Sequence, residues 1–176
     1  MIILRKNVIL RRPRSGRLEG RARFIHISRS GGALSAGNPG GEHVAPAMLR
    51  LALRGAGQAM LVTDAMPPVG GNGKTFELAG KPVRVADGRC TTADGTLAGS
   101  ALDMASAVRN CVRLLDMTLP DALRLASAAP AAFLGLDNRL GHIAPGFRAD
   151  LVALEPAEIR MLATWVAGEE SPSSLP

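Results

Sequence analysis

Asp64, in the run LVTDAMPP, is the residue of this sequence best placed to do chemistry. A short apolar stretch, AMLVTD over 59–64, reads as a buried parallel strand and runs into the Pro- and Gly-rich loop MPPVGGNG over 66–73. A carboxylate at such a junction lies at the carboxyl-terminal mouth of a parallel sheet, where barrels and open α/β sheets carry their reacting groups. Two readings stand side by side: a general base, or a residue that only caps and turns the chain after the strand. Upstream, GEHVAP puts His43 on a loop before Pro46. An imidazole there donates a hydrogen bond to a substrate, ligates a metal, or simply faces solvent. Downstream, DGTLAGS over 94–100 is either a plain turn or a set of backbone amides open to an anionic or polar group. His26 in FIHIS and His142 in LGHIAP are weaker candidates, and His142 reads as a surface residue beside a turn. No HxH, HExxH or clustered Cys/His spacing occurs, so the spacing specifies no metal site.

The elements that must position these residues follow from texture. Pro46 opens a helix with Met48, Leu49, Leu51 and Ala52 as apolar positions and Gly55 and Gly57 closing it. TFELAGKPVRVADGRC over 75–90 alternates and contains the turn signals AGK and ADG, which predicts small β-strands. Ser100 is the expected N-cap of a helix over 101–115, with Leu102, Ala105, Val108, Val112 and Leu115 as its apolar face. Pro120 opens another helix, and Pro130 a third that ends at Gly135. LGHIAPGFRADLVALEP and IRMLATWVAG are two strand-like stretches around a Pro-Gly turn, and the tail EESPSSLP is expected to fray.

The chain has 176 residues, about one domain and short of the roughly 250 of a closed (β/α)8 barrel. Hydrophobic residues make up 47%, which excludes disorder throughout. The net charge of +6 is not spread evenly: residues 1–30 hold nine basic side chains and one acid, and the remainder carries −2. The basic character is therefore confined to an amino-terminal arm, a texture that suits nucleic acid or an anionic surface. Phe24 is the one aromatic side chain among the arginines of that arm, and nucleic-acid binding ranks last among the readings. Cys90 and Cys111 stand apart and suggest free thiols in a reducing compartment. No apolar run reaches the roughly 18 residues of a membrane helix, and a soluble cytoplasmic protein is the expectation.

Taken in order, GEHVAPAMLRLA, LVTDAMPP, FELAGKPVRVADGRC, DGTLAGSALDMASAVRNCV, ASAAPAAFLGLDNRLGHIAPGFRADLVALE and TWVAG resemble the carboxyl-terminal part of N-acetylglucosamine-6-phosphate deacetylases, which are amidohydrolases. The resemblance runs from about Glu42 to Gly168. It implies an α/β fold, the carboxyl-terminal portion of a metal-dependent-hydrolase (β/α)8 barrel plus strands of a small β-domain, with the barrel incomplete. The domains so expected are a non-family arm over 1–41, a partial barrel over 42–138, small-domain strands over 139–168 and a frayed tail over 169–176. The activity implied is hydrolysis of N-acetylglucosamine 6-phosphate to glucosamine 6-phosphate and acetate. By the same resemblance Asp64 looks like the catalytic aspartate that takes a proton from a metal-bound water and passes it to the departing amine. His43 looks like the histidine that hydrogen-bonds the substrate, with Gly41 and Glu42 in the same turn. Leu97, Ala98 and Gly99 match the segment whose backbone lines the sugar site. Asp150 of RADLV reads as structural. A divalent metal, zinc or iron, and a homodimer are also implied.

The sequence departs from the family pattern before Glu42. The family's metal ligands, a glutamate and two histidines, and its phosphate-binding arginine precede anything matched here, so no metal ligand is assigned. Gly40 stands where the pattern has an aspartate. A truncated or frameshifted gene is the expectation this raises, testable by translating the upstream DNA in all three frames. A catalytically inactive remnant is the alternative to a deacetylase, and nucleic-acid binding through the arm a second.

Overall fold

The computed structural model of the protein describes residues 2–4, 25–29, 32–36, 46–54, 58–71, 73–86 and 88–171. Its elements in chain order are β1 (Ile2–Leu4), β2 (Ile25–Arg29), β3 (Gly32–Ala36), α1 (Pro46–Arg54), β4 (Leu61–Val62), β5 (Thr75–Leu78), β6 (Lys81–Ala86), β7 (Arg89–Thr92) and β8 (Leu97–Ser100). There follow α2 (Met104–Leu115), α3 (Leu119–Ala126), α4 (Ala128–Phe133), β9 (Leu151–Glu155), β10 (Arg160–Val166) and β11 (Glu169–Glu170). Packing groups them into two compact units, residues 14–107 and residues 1–13 with 108–176.

Within residues 14–107, turn chemistry shapes the meander β5-β6-β7-β8, antiparallel throughout. Ala79 and Gly80 join β5 to β6 with φ values of 51° and 76°. Two successive positive φ angles give the turn whose twist matches that of the flanking strands. Between β7 and β8 the Thr92 hydroxyl donates to the Asp94 carboxylate, and the Thr96 N–H donates to the same group at 3.1 Å. Those donors hold Asp94 down to about 2. A second sheet has the order β3-β2-β4. In α1, Pro46 at the first position fits a site whose N–H would have no helical partner, and Leu49 is buried while Leu51 is exposed. Leu61, Val83, Cys90 and Ser100 are fully buried.

Within the other unit β1, β9, β10 and β11 form one antiparallel sheet in that order. Asp150, only 2% exposed, ties off the start of its central hairpin. It makes a two-point contact with the Arg148 guanidinium at 2.5 and 2.8 Å and accepts from the Ala167 N–H at 2.8 Å. Thr118 caps α3, accepting from the Asp121 N–H at 3.3 Å. Gly141 leaves no room for a side chain, since a Cβ would come within 2.8 Å of the Ala128 Cα. Arg109 and Arg113 of α2 reach the turn before β10, donating to the Glu158 carbonyl at 3.0 Å and the Glu158 carboxylate at 2.8 Å.

Several expectations are corrected. The stretch 59–64 is not simply a parallel strand: Leu61 and Val62 pair antiparallel with Ile27 and His26, and the chain turns parallel only at an isolated bridge from Ala65 to Ser100. The arm contributes β2 and β3 as a hairpin. Helix α2 starts at Met104 rather than 101, and Asp103, not Ser100, caps it by accepting from the Ser106 N–H at 2.8 Å. Its buried positions are Ala107, Val108, Cys111 and Leu115. Helix α4 begins at Ala128, two residues before Pro130, which the first turn tolerates because its N–H is not used there. In LGHIAPGFRADLVALEP only Leu151–Glu155 is a strand. Glu169 and Glu170, expected to fray, pair with Val166 and Trp165.

Candidate active site

The loop after β4 is stitched to β8 by backbone and side chain together. The Ser100 N–H donates to the Asp64 carbonyl at 3.0 Å, and the Met66 N–H donates to the Ser100 carbonyl at 2.9 Å. The Ser100 hydroxyl donates to the Thr63 carbonyl at 2.6 Å and accepts from the Leu102 N–H at 3.1 Å. The Asp64 backbone therefore lies beside Ser100, at the end of β8. The Asp64 side chain is exposed, while Gly99 and Ser100 beneath it are buried.

Two backbone features mark this contact. Asp64 has φ 49°, a left-handed conformation that Asp tolerates better than most side chains. Gly99 has φ 146°, and a Cβ on it would come within 2.5 Å of the Met66 side chain and 3.2 Å of the Asp64 carbonyl. Non-glycine residues held in such regions cluster at functional sites. Beneath the loop Cys90 pairs with Gly99 across β7 and β8. Burial raises the Cys90 thiol above its ordinary value, and the negative charge of Asp64 raises it further.

Leu97 and Ala98 are partly buried on β8. Gly41, Glu42 and His43 lie outside the described residues. His26 sits on β2, opposite Val62 of β4 and Ser35 of β3. His142 is exposed and packs edge-on against Phe147 at 5.9 Å, in keeping with a surface role. Asp150 is structural, being buried and ion-paired. Both cysteines are free, and burial pushes Cys111 up to about 11.

Among the described residues no group of three or more His, Cys, Asp or Glu side chains could hold a metal ion. The donor set present there does not fit the divalent metal that the resemblance implies. Also among the described residues, no helix is long and apolar enough to cross a membrane. The basic stretch offered for nucleic acid falls mostly outside them.

Reading the sequence missed Ser100, Thr63 and Met66 as parts of this site. Its place before an apolar helical run predicts Ser100 as a helix cap instead. The available signal was a glycine immediately before a serine at the end of a strand, which marks close backbone approach.

Comparison with known proteins extends this picture. Residues 45–173 match the profile of the "Amidohydrolase family". A protein of Escherichia coli K12 named "Putative N-acetylgalactosamine-6-phosphate deacetylase" is 39% identical over 130 residues, covering 73% of this chain and 77% of that protein. An N-acetylgalactosamine-6-phosphate deacetylase of Shewanella sp. ANA-3 is 38% identical over 173 residues, covering 85% of this chain and 43% of that protein. The crystal structure of N-acetylglucosamine-6-phosphate deacetylase from Pasteurella multocida superposes with a TM-score of 0.69 at 32% identity, over 81% of this chain and 41% of that one. The chain thus spans most of the first relative but only about two-fifths of the other two. Since the profile covers well over half of the sequence, and the carboxylate-bearing loop and its β8 partner fall inside it, the chain belongs to the amidohydrolase family.

Proposed function

We propose that this chain serves the hydrolysis of the acetamido group of N-acetylglucosamine 6-phosphate, with Asp64 as the general base. The observation that carries the reading is the exposed Asp64, held in a left-handed conformation and stitched to Leu97–Ser100. Asp64 accepts a proton from the attacking water as its oxygen bonds to the acetyl carbon. The carbon–nitrogen bond then breaks, and the proton passes to the departing amine, leaving acetate and glucosamine 6-phosphate. The backbone of Leu97, Ala98 and Gly99 lines the sugar, while His43, Gly41 and Glu42 contact it from the preceding turn. A divalent metal, zinc or iron, would supply Lewis-acid polarisation when bound.

In this reading residues 42–138 belong to part of a (β/α)8 barrel and residues 139–168 to the small β-domain. The protein acts in the cytoplasm as a homodimer. N-acetylgalactosamine 6-phosphate is the second substrate reading, favoured by the names of the Escherichia coli and Shewanella relatives. The competing reading is a remnant that keeps the carboxylate without a metal site, favoured by the absence of a ligand cluster among the described residues.

An acetate-release assay on the full chain tests this, with each sugar phosphate, added zinc and an Asp64→Asn control. The expected result is turnover that falls by about 10²- to 10⁴-fold in Asp64→Asn, the usual worth of a positioned base. Equal rates in the two proteins overturn the role of Asp64. No acetate from either, with no zinc retained on dialysis, selects the remnant.

A further inference from the structure

We infer that Ser100 is the positioning residue of this site, the group that holds the Asp64 segment in its left-handed turn above β8. The inference rests on Asp64 being the reacting carboxylate and adds the device that aims it. Ser100 is fully buried, so its hydroxyl and amide have no water to fall back on. Every polar atom of the residue is spent on the loop or on the turn that follows. Its hydroxyl donates to the Thr63 carbonyl at 2.6 Å, and its N–H donates to the Asp64 carbonyl at 3.0 Å. Its carbonyl accepts from the Met66 N–H at 2.9 Å, and its hydroxyl oxygen accepts from the Leu102 N–H at 3.1 Å. The peptide groups on both sides of Asp64 are thereby fixed from a single residue 36 positions further along the chain.

A serine is needed for this arrangement. The backbone bonds alone would survive in any residue type, but they tie only the Asp64 carbonyl and the Met66 amide. The hydroxyl adds the Thr63 carbonyl, one peptide before Asp64, and so restrains ψ of Thr63 and φ of Asp64 together. Gly99 makes the approach possible, because a side chain there would strike Met66. Asp64 at φ 49° would relax toward the ordinary right-handed or extended regions if released.

The test uses the full chain and does not depend on turnover, so a failed clamp and a failed base are told apart. Cys90, under Gly99, reports where the Asp64 charge sits. Its titration is followed by the ¹³Cβ resonance in four proteins: wild type, Ser100→Ala, Asp64→Asn and the double variant. Asp64→Asn is expected to lower the Cys90 pKa, because a negative neighbour is removed. Ser100→Ala is expected to lower it in the wild-type background and to leave it unmoved in the Asp64→Asn background. Equal shifts in both backgrounds would mean that Ser100 acts only on burial, and positioning would be wrong. Amide exchange of Leu102, whose acceptor is the Ser100 hydroxyl, is expected to quicken about tenfold in Ser100→Ala, the scale of one lost hydrogen bond, with β9 and β10 amides unchanged. Should Ser100→Ala fail to fold, the wild-type protein decides alone. A slowly exchanging Ser100 hydroxyl proton with a cross-peak to Asp64 supports the clamp, and a hydroxyl proton lost to solvent exchange overturns it.

Discussion

Two aspartates, Asp64 and Asp150, sit at the edges of strands in the two compact units and are used in opposite ways. Asp150 is buried, grips the Arg148 guanidinium and accepts the Ala167 N–H across 17 residues of chain. Asp64 contributes its backbone carbonyl to the fold, accepting from Ser100, while its side chain stays exposed. A carboxylate taken out of water and neutralised by a guanidinium and an amide is committed to structure. Asp64 is tied to the fold through its backbone, and its exposed side chain is reached by water. Both residues follow or precede a strand in sequence, so residue type and position alone do not separate them.

Changing each one is the sharpest way to break this contrast. Asp64→Asn is expected to remove acetate release by about 10²- to 10⁴-fold while leaving the urea midpoint near that of the wild type. Asp150→Ala is expected to do the reverse, costing about 3 kcal/mol of stability by stranding the Ala167 N–H and releasing Arg148; urea unfolding reads it. If Asp150→Ala proves as stable as wild type, its assignment as structural fails. Gly99→Ala comes next, at about 2 kcal/mol, because φ 146° and the Met66 and Asp64 contacts both oppose a Cβ. It should also disturb Asp64, so it is expected to lower both stability and acetate release, joining what the two aspartate changes keep apart.

The smallest effect belongs to Asp94. Its folded pKa is about 2, held below the ordinary value of roughly 3.9 first by the Thr92 hydroxyl and then by the Thr96 amide. A depressed folded pKa contributes stability that is present above the unfolded value and lost as pH falls through the folded one. Asp94→Asn is therefore expected to flatten the stability–pH curve between about pH 4 and pH 2, lying slightly below wild type at neutral pH and converging with it near pH 2. Thermal melts across that range measure it.

Much of the meander around the site was legible in advance. AGK and ADG predict the turns at Ala79–Gly80 and Gly88, and alternation predicts β5 to β7, because both signals are local. Pro120 likewise announces α3, because its missing N–H suits a first helical turn. The role of Ser100 was not legible. As a serine before an apolar helical run it satisfies the N-cap pattern, yet Asp103 does the capping and Ser100 faces the Asp64 loop.

The sequence by itself determined where the candidate carboxylate lies along the chain, which glycines and prolines turn it, and which family it resembles, since each of these rests on residues within a few positions of one another. Tertiary structure alone decided that β4 pairs with the arm, that β1 pairs with β9, and that Ser100 reaches back to Thr63, Asp64 and Met66. Those choices depend on hydrogen bonds between segments tens of residues apart. The closure entropy of such contacts is repaid only when whole segments pair and bury together, and no local propensity records that.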